Sequence, residues 1–309
     1  MTDVTNREIA RIESELAGPT VIVVAAIHGN EQAGIEAAKR VIGRLSGGDV
    51  TFRGEVIAFI GNVGAVREKR RFINHDLNRV WSEAQIAALE TLKPHTAHDP
   101  PIAEHHEQRE LLGAIRGVMK RARGPVYLID LHSTSAQGVP FIACGARDEQ
   151  RKFVSELELP IIVGLEDKVD GALSAYWNKN GCVAFTVEGG QHEERGTIDN
   201  LESALFLTLE SAGTLPRGAL PEFAAARVLL GSRRGDLPRM MEVVSRFAIT
   251  PDQGFTMVPG FRNVDYARAA QLLARDRNGE IRAESDGVII LPLYQGQGSD
   301  GFFWGRAVT

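Results

Sequence analysis

Residues 19–31 read Pro-Thr-Val-Ile-Val-Val-Ala-Ala-Ile-His-Gly-Asn-Glu. From Pro19 to Ile27 every residue but Thr20 is small or apolar and several are β-branched, the mark of a strand buried on both faces, as in a parallel sheet. The run ends on His28 and Glu31, an imidazole and a carboxylate that leave one strand end together. Gly29 and Asn30 between them suit a turn that needs unusual dihedrals.

Working outward, residues 31–45 read as a helix, and further strands are expected at Phe52–Ile60, Val126–Leu131, Phe141–Cys144, Ile161–Val163 and Cys182–Val187. The clearest helices are Glu104–Arg123, with Leu111, Leu112, Ile115, Val118 and Met119 at helical spacing, and Ile198–Ser211. Alternating strands and helices imply an α/β sheet with helices on both faces. In such sheets ligands collect beyond the carboxyl ends of strands, where His28, Glu31, His132 and Glu188 all fall.

After about residue 215 the character changes. The run Gly213 to Pro221 resembles a linker, and short apolar stretches broken by turn signals follow. Residues 1–215 are therefore expected to form a catalytic α/β domain and 225–309 a smaller, mainly β domain. Asp276–Glu280 and Ser285-Asp286-Gly287 are its hairpin signals.

A net charge of −5 over 309 residues argues against nucleic acid as the main partner. No apolar run approaches the roughly 20 residues of a membrane span, and the N-terminus is polar, so no membrane association and a cytoplasmic location are expected. Cys144 and Cys182 each lie beside hydrophobic residues and read as core packing rather than as a disulfide or a thiolate ligand.

The Asp-Leu-His at 130–132 repeats the pattern of the first strand end. His28, Glu31 and His132 together supply three of the four positions around a tetrahedral zinc ion and leave the last for water, as a hydrolytic site requires. Asp130 shares a sheet face with His132 by the period of two, and either orients that ligand or caps backbone amides. Glu188, directly after an apolar strand and before Gly189 and Gly190, is the candidate general base. His192 is read as a supporting or simple turn residue.

In the segment 71–79, Arg-Phe-Ile-Asn-His-Asp-Leu-Asn-Arg, Arg79 offers a planar fork for a carboxylate and Asn78 a directional donor. Asp76 is expected to hold the loop in shape. Arg67, Lys69, Arg70 and Arg71 form a basic run that reads as a solvated face, one member of which could reach an acidic substrate. His95, His98, His105 and His106 are expected in a mobile loop over or near the site.

With these residues in place, the chain resembles the succinylglutamate desuccinylase and aspartoacylase family, a branch of the zinc carboxypeptidase superfamily. The motifs His28-Gly29-Asn30-Glu31, Asp76-Leu77-Asn78-Arg79, Asp130-Leu131-His132 and Glu188 occur in the family's order and approximate spacing. The ending Asp286-Gly287, Pro292-Leu293-Tyr294 and Asp300 to Phe303 is similar to the family's C-terminal β domain.

The resemblance implies a zinc-carboxypeptidase-like fold, with a mixed, mostly parallel sheet covered by helices on both faces and a smaller C-terminal β domain. It implies one zinc per chain, held by His28, Glu31 and His132, with Glu188 as general acid/base. Asn78 and Arg79 would bind the carboxylate of an N-acyl amino acid, whose amide is hydrolysed by a metal-activated water. The family's arginine after an Asn-Pro pair is missing, since this chain reads Asn62-Val63-Gly64-Ala65 there. Either Arg67, Arg70 or Arg71 substitutes or the oxyanion relies on zinc alone, and Arg70, Arg71 and Tyr294 are further substrate-binding candidates.

Two rival readings remain: a zinc carboxypeptidase acting on a peptide end, and a catalytically silent carboxylate-binding protein. A small closed pocket would favour the N-acyl amino acid hydrolase, and an open groove the carboxypeptidase. Homo-oligomer formation is left open.

Overall fold

A computed structural model describes residues 6–48, 50–92 and 102–308. Its strands are β1 (Glu8–Glu13), β2 (Thr20–Ala25), β3 (Glu55–Ile60), β4 (Val126–Thr134), β5 (Phe141–Cys144), β6 (Ile161–Val163), β7 (Val183–Gln191), β8 (Met240–Ala248), β9 (Thr256–Met257), β10 (Asp265–Ala267), β11 (Leu272–Asp276), β12 (Gly279–Arg282), β13 (Gly287–Ile290) and β14 (Asp300–Ala307). Its helices are α1 (Ala33–Leu45), α2 (Val63–Glu68), α3 (Glu83–Thr91), α4 (Ala103–Arg121), α5 (Asp148–Val154), α6 (Leu173–Lys179), α7 (Arg195–Ala212) and α8 (Pro221–Arg234).

All six residues of β2 are buried, and the period of two divides them between two cores. Val21, Val23 and Ala25 pack with apolar residues of α1 and α7, while Ile22 and Val24 pack with Leu111, Leu112 and Ile115 of α4. Each such side chain removed from water contributes about 1.5–3 kcal/mol. Polar substitution on either face of β2 would therefore be costly, which fixes this strand at the centre of the fold. The two cysteines fall one in each core, and burial pushes both thiols up to about 12.

The main sheet has eleven strands in the order β1-β3-β2-β4-β7-β5-β6-β8-β14-β13-β10. Its centre, β3-β2-β4-β7, is parallel, and β5 then pairs antiparallel with β7. The C-terminal strands β8, β14, β13 and β10 extend this same sheet, antiparallel to one another. A separate three-stranded sheet, β12-β11-β9, packs beside them. No helix among the described residues is long and apolar enough to cross a membrane.

The structure differs from the sequence reading in several places. The Gly/Pro-rich run at 213–221 is a tight connection, not a linker: Gly213 ends α7 in the left-handed region (φ 79°), and Pro221 opens α8, which packs Phe223, Ala226 and Leu230 into the α1–α7 core. A domain boundary at 225 would cut that helix. Strand β1, an edge strand antiparallel to β3, had no strong pattern of its own.

Asp276–Glu280 does turn a hairpin, β11–β12, but Ser285-Asp286-Gly287 joins two different sheets. His105 and His106 lie on α4 rather than in a loop, with His106 Nε2 3.2 Å from Glu110 one turn on. His95 and His98 lie outside the described residues.

Two glycines position the site by close approach. A Cβ on Gly29 would stand 2.1 Å from the backbone carbon of Ala65 in α2, so the turn carrying His28 is pressed onto that helix. Gly29→Ala is expected to cost about 2 kcal/mol or more through overpacking against rigid backbone. Chemical denaturation would register this as a lowered midpoint with an unchanged slope. A Cβ on Gly189 would stand 2.5 Å from Leu201 Cγ of α7, so β7 passes this helix closely and continues to Gln191 instead of ending at Val187.

Candidate metal centre and cleft

The longer β4 and β7 place two functional side chains next to each other. His132 and Glu188 are register partners on these parallel neighbours, so Glu188 sits within a strand rather than after one. The β2 end supplies the other two groups. Ala26 takes a left-handed conformation (φ 54°) as the chain leaves the sheet, and Glu31 N–H closes the turn on His28 C=O at 3.0 Å.

There Glu31 Oε1 lies 2.8 Å from His28 Nδ1, and its Oε2 lies 2.9 Å from His132 Nδ1. All three side chains are buried. Candidate ligand atoms of His28, Glu31 and His132 lie within 4.8 Å of one another, and two imidazoles with a carboxylate are a donor set that suits zinc.

The back of each imidazole also meets a carboxylate. His28 Nε2 is 3.0 Å from Asp76 Oδ1, and His132 Nε2 is 2.9 Å from Asp130 Oδ2, the latter a charge contact without hydrogen-bond alignment. Partners on the far ring nitrogen orient metal-binding histidines and raise their basicity. Asp130 therefore sits where it can orient a ligand. Asp76 both accepts from Asn78 N–H, fixing its loop as expected, and holds His28.

The charges of the site follow from this packing. Burial works against ionisation of Glu31, but His28 and His132 hold its carboxyl well below the usual range. Burial likewise opposes Asp76, where His28 and Arg71 prevail and lower it. For His132, burial opposes the imidazolium, yet Asp130 and Glu31 raise it well above the ordinary value. Glu188 goes the other way: burial pushes it up to about 8, with Glu31 and Asp130 adding to the rise against His132 and Arg71. Its Oε2 is buried with no hydrogen-bond partner among the described residues.

These groups line one cleft with about 110 Å³ of internal space. Of the basic run, Arg71 is the member that lines it: its Nη1 is 3.2 Å from Glu31 Oε1 and its Nη2 3.1 Å from Asp76 Oδ2. Arg70 is half-exposed, pairs with Glu68 and is not among the lining residues, so the expectation that it binds substrate is not met by the geometry.

Asn78 and Arg79 both line the cleft. Asn78 Oδ1 accepts from Leu173 N–H at 2.8 Å, which turns its amide NH₂ into the available donor. Arg79 donates to Asn78 C=O and pairs with Asp300 at 2.6 Å, and Asp300 also pairs with Arg246. Tyr294 does not line the cleft; its hydroxyl accepts from Phe261 N–H and donates to Val258 C=O. That candidate is corrected to a residue tying down C-terminal loops.

His192 Nδ1 is 2.8 Å from Ser133 Oγ, next to His132, which makes it a supporting residue. Gln295 Oε1 accepts from Asn30 and approaches His192 Nε2, while Gln297 Oε1 accepts from Arg71 N–H. The 291–300 segment thus closes the far wall of the cleft.

Sequence reasoning missed Glu104 and Glu107. Glu104 accepts from the backbone N–H groups of Ile73, Asn74 and His75, and Glu107 from those of Val63 and Gly64. Both are buried on α4; Glu104 holds the loop that delivers Arg71 and Asp76, and Glu107 the N-terminus of α2. A signal existed: the spacing of Leu111 and Ile115, continued backward, puts 104, 107 and 108 on the core face. Glu166 was also missed, since it stands in no recognisable local pattern, and Asp300 was read only as part of the C-terminal ending.

A family model described as the succinylglutamate desuccinylase/aspartoacylase catalytic domain matches residues 17–210. A succinylglutamate desuccinylase from Burkholderia pseudomallei (strain 1710b) is 28% identical over 278 residues, spanning 83% of this chain and 70% of that one. Among solved structures, the product-bound ectoine utilization protein EutE (DoeB) from Ruegeria pomeroyi superposes with a TM-score of 0.68 at 20% identity, covering 96% of this chain and 88% of the other. The succinylglutamate desuccinylase from Vibrio cholerae gives a TM-score of 0.66 at 17% identity, over 96% and 84% of the two chains. The structural likenesses bear on the fold, and the matched family segment contains His28, Glu31, Asn78, Arg79, His132 and Glu188: the chain belongs to the succinylglutamate desuccinylase/aspartoacylase family.

Proposed function

We propose that this protein is a zinc-dependent hydrolase that cleaves the amide bond of an N-acyl amino acid or a similar small amide. The observation that carries this reading is the meeting of His28, Glu31 and His132 beside a buried Glu188 oxygen that has no hydrogen-bond partner among the described residues. One zinc held by these three residues would supply Lewis-acid polarisation of water and of the amide carbonyl.

The chain's own groups then have separate roles. Glu188 accepts a proton from the attacking water and returns it to the departing nitrogen. Its carboxyl, held up to about 8 by burial, would be drawn down by a dication next to it, toward the value a general base needs at neutral pH. Arg71 takes the place of the family's missing arginine and faces the negative charge that develops on the carbonyl oxygen. Asn78 and Arg79 receive the substrate carboxylate, Asn78 through its amide NH₂ and Arg79 through its guanidinium edge.

The wall that residues 291–300 add to the cleft favours a small amide over an extended peptide end. The test is amine release from N-acetyl, N-succinyl and N-formyl amino acids and from short peptides. Turnover is expected to vanish on exhaustive chelation and to return with zinc. Full activity in the chelated protein would overturn the reading, and a preference for peptides would shift it to the carboxypeptidase.

A further inference from the structure

Beyond Glu188, the cleft continues into a second polar wall that the reaction does not use. Thr186 lies two residues before Glu188 on the same face of β7, roughly 7 Å along the strand. Its hydroxyl donates to Ser174 Oγ at 3.3 Å, and Ser174 donates to Glu166 Oε1 at 2.6 Å. Thr186, Ser174 and Glu166 all line the cleft.

Glu166 makes no ion pair with any described residue, in contrast to Glu31, Asp76 and Asp300. Burial pushes its carboxyl up to about 7, with Asp167 and Asp130 adding to the rise, while the Ser174 hydrogen bond and, least of all, Lys179 pull against it. A second acceptor waits nearby. A Cβ on Gly145 would stand 3.1 Å from Glu166 Oε2 and 3.0 Å from Gln150 Oε1, and the latter oxygen is buried without a donor.

The two arginines that line the cleft are already engaged: Arg71 with Glu31 and Asp76, Arg79 with Asp300. Glu166 is thus an acid of the cleft wall to which neither of these arginines is bound. A carboxylate placed beside Glu166 would meet like charge, and an ammonium would relieve a half-buried acid that makes no ion pair with a described residue.

We propose that Glu166, with Ser174 and Thr186, forms a specificity subsite that receives an ammonium group of the substrate and rejects a carboxylate there. This rests on the amide-hydrolase reading for its substrates, but binding tests it separately. Within this subsite Glu166 contacts the substrate ammonium, while Ser174 and Thr186 orient the carboxylate.

The test uses two isosteric series. In the first, β-alanyl, butyryl and succinyl groups acylate one amino acid; in the second, ornithine, norleucine and glutamate carry one Nα-acetyl group. Both are measured for kcat/KM with zinc-loaded wild type and Glu166→Gln, and for binding by calorimetry to the same proteins carrying Glu188→Gln.

The ammonium member of one series is expected to exceed its neutral isostere by about tenfold or more, and that series locates the subsite on the acyl or the amine side. Glu166→Gln should erase the advantage while leaving the neutral member within about threefold. No ammonium preference in either series, or an equal loss on all members in Glu166→Gln, overturns the proposal. Absence of all turnover, with ammonium binding present and lost in Glu166→Gln, sinks the hydrolase reading and sustains the subsite.

Discussion

Glu188→Gln lowers kcat for amide hydrolysis by about 10²–10⁴-fold, the usual contribution of a positioned general base, while zinc content and KM stay near the wild-type values. The amide keeps the size and shape of the carboxyl but cannot accept the water's proton. Because Glu188 Oε2 has no hydrogen-bond partner among the described residues, the change leaves no described donor unsatisfied there, and the thermal midpoint should not fall. A kcat within about threefold of wild type would remove Glu188 from the role of base. A loss of zinc together with kcat would instead make it part of the metal-binding cluster.

The second large effect is at the metal. Glu31 contacts both imidazoles and accepts from Ser133 N–H, so it is both a proposed ligand and the tie between the ends of β2 and β4. Glu31→Gln removes the negative charge and is expected to weaken zinc binding by at least about a hundredfold, since even supporting partners of ligands are worth 10–100-fold. Activity at trace metal should fall to background. The measurement is zinc retained after dialysis against a chelator of graded strength, with circular dichroism to confirm the fold. Unchanged retention would show that the metal site lies elsewhere.

The sequence disclosed the parts of this protein that depend on local pattern. The β-branched run at 21–27, buried between two helical layers, could be read because period and composition agree. The proposed ligands stood out because they interrupt such runs. What remained hidden depends on distant partners. Asp76 was legible as a loop residue but not as the support of His28, a contact made across 48 positions. Arg71 could not be chosen from the basic run until Gly29 N–H was seen to bond its carbonyl and Glu31 its guanidinium. Glu166 and Ser174 are ordinary polar residues in sequence, and only their common cleft gives them a meaning. Helix α8 was misread because glycine and proline, which usually mark an irregular connection, here end one helix and start the next.

The far wall of the cleft, formed by residues 291–300, touches the turn around His28 mainly through side-chain amides: Gln295 to Asn30, and Gln297 to the Arg71 backbone. Its Tyr294 N–H also reaches Ser135 just after β4, and among the described residues it gives the proposed metal set no ligand. The two parts of the molecule can therefore diversify at different rates. Replacements in the wall outside Gln297 and Asp300, which hold Arg71 and Arg79, alter which molecule is admitted while the groups proposed to act on it stay in place.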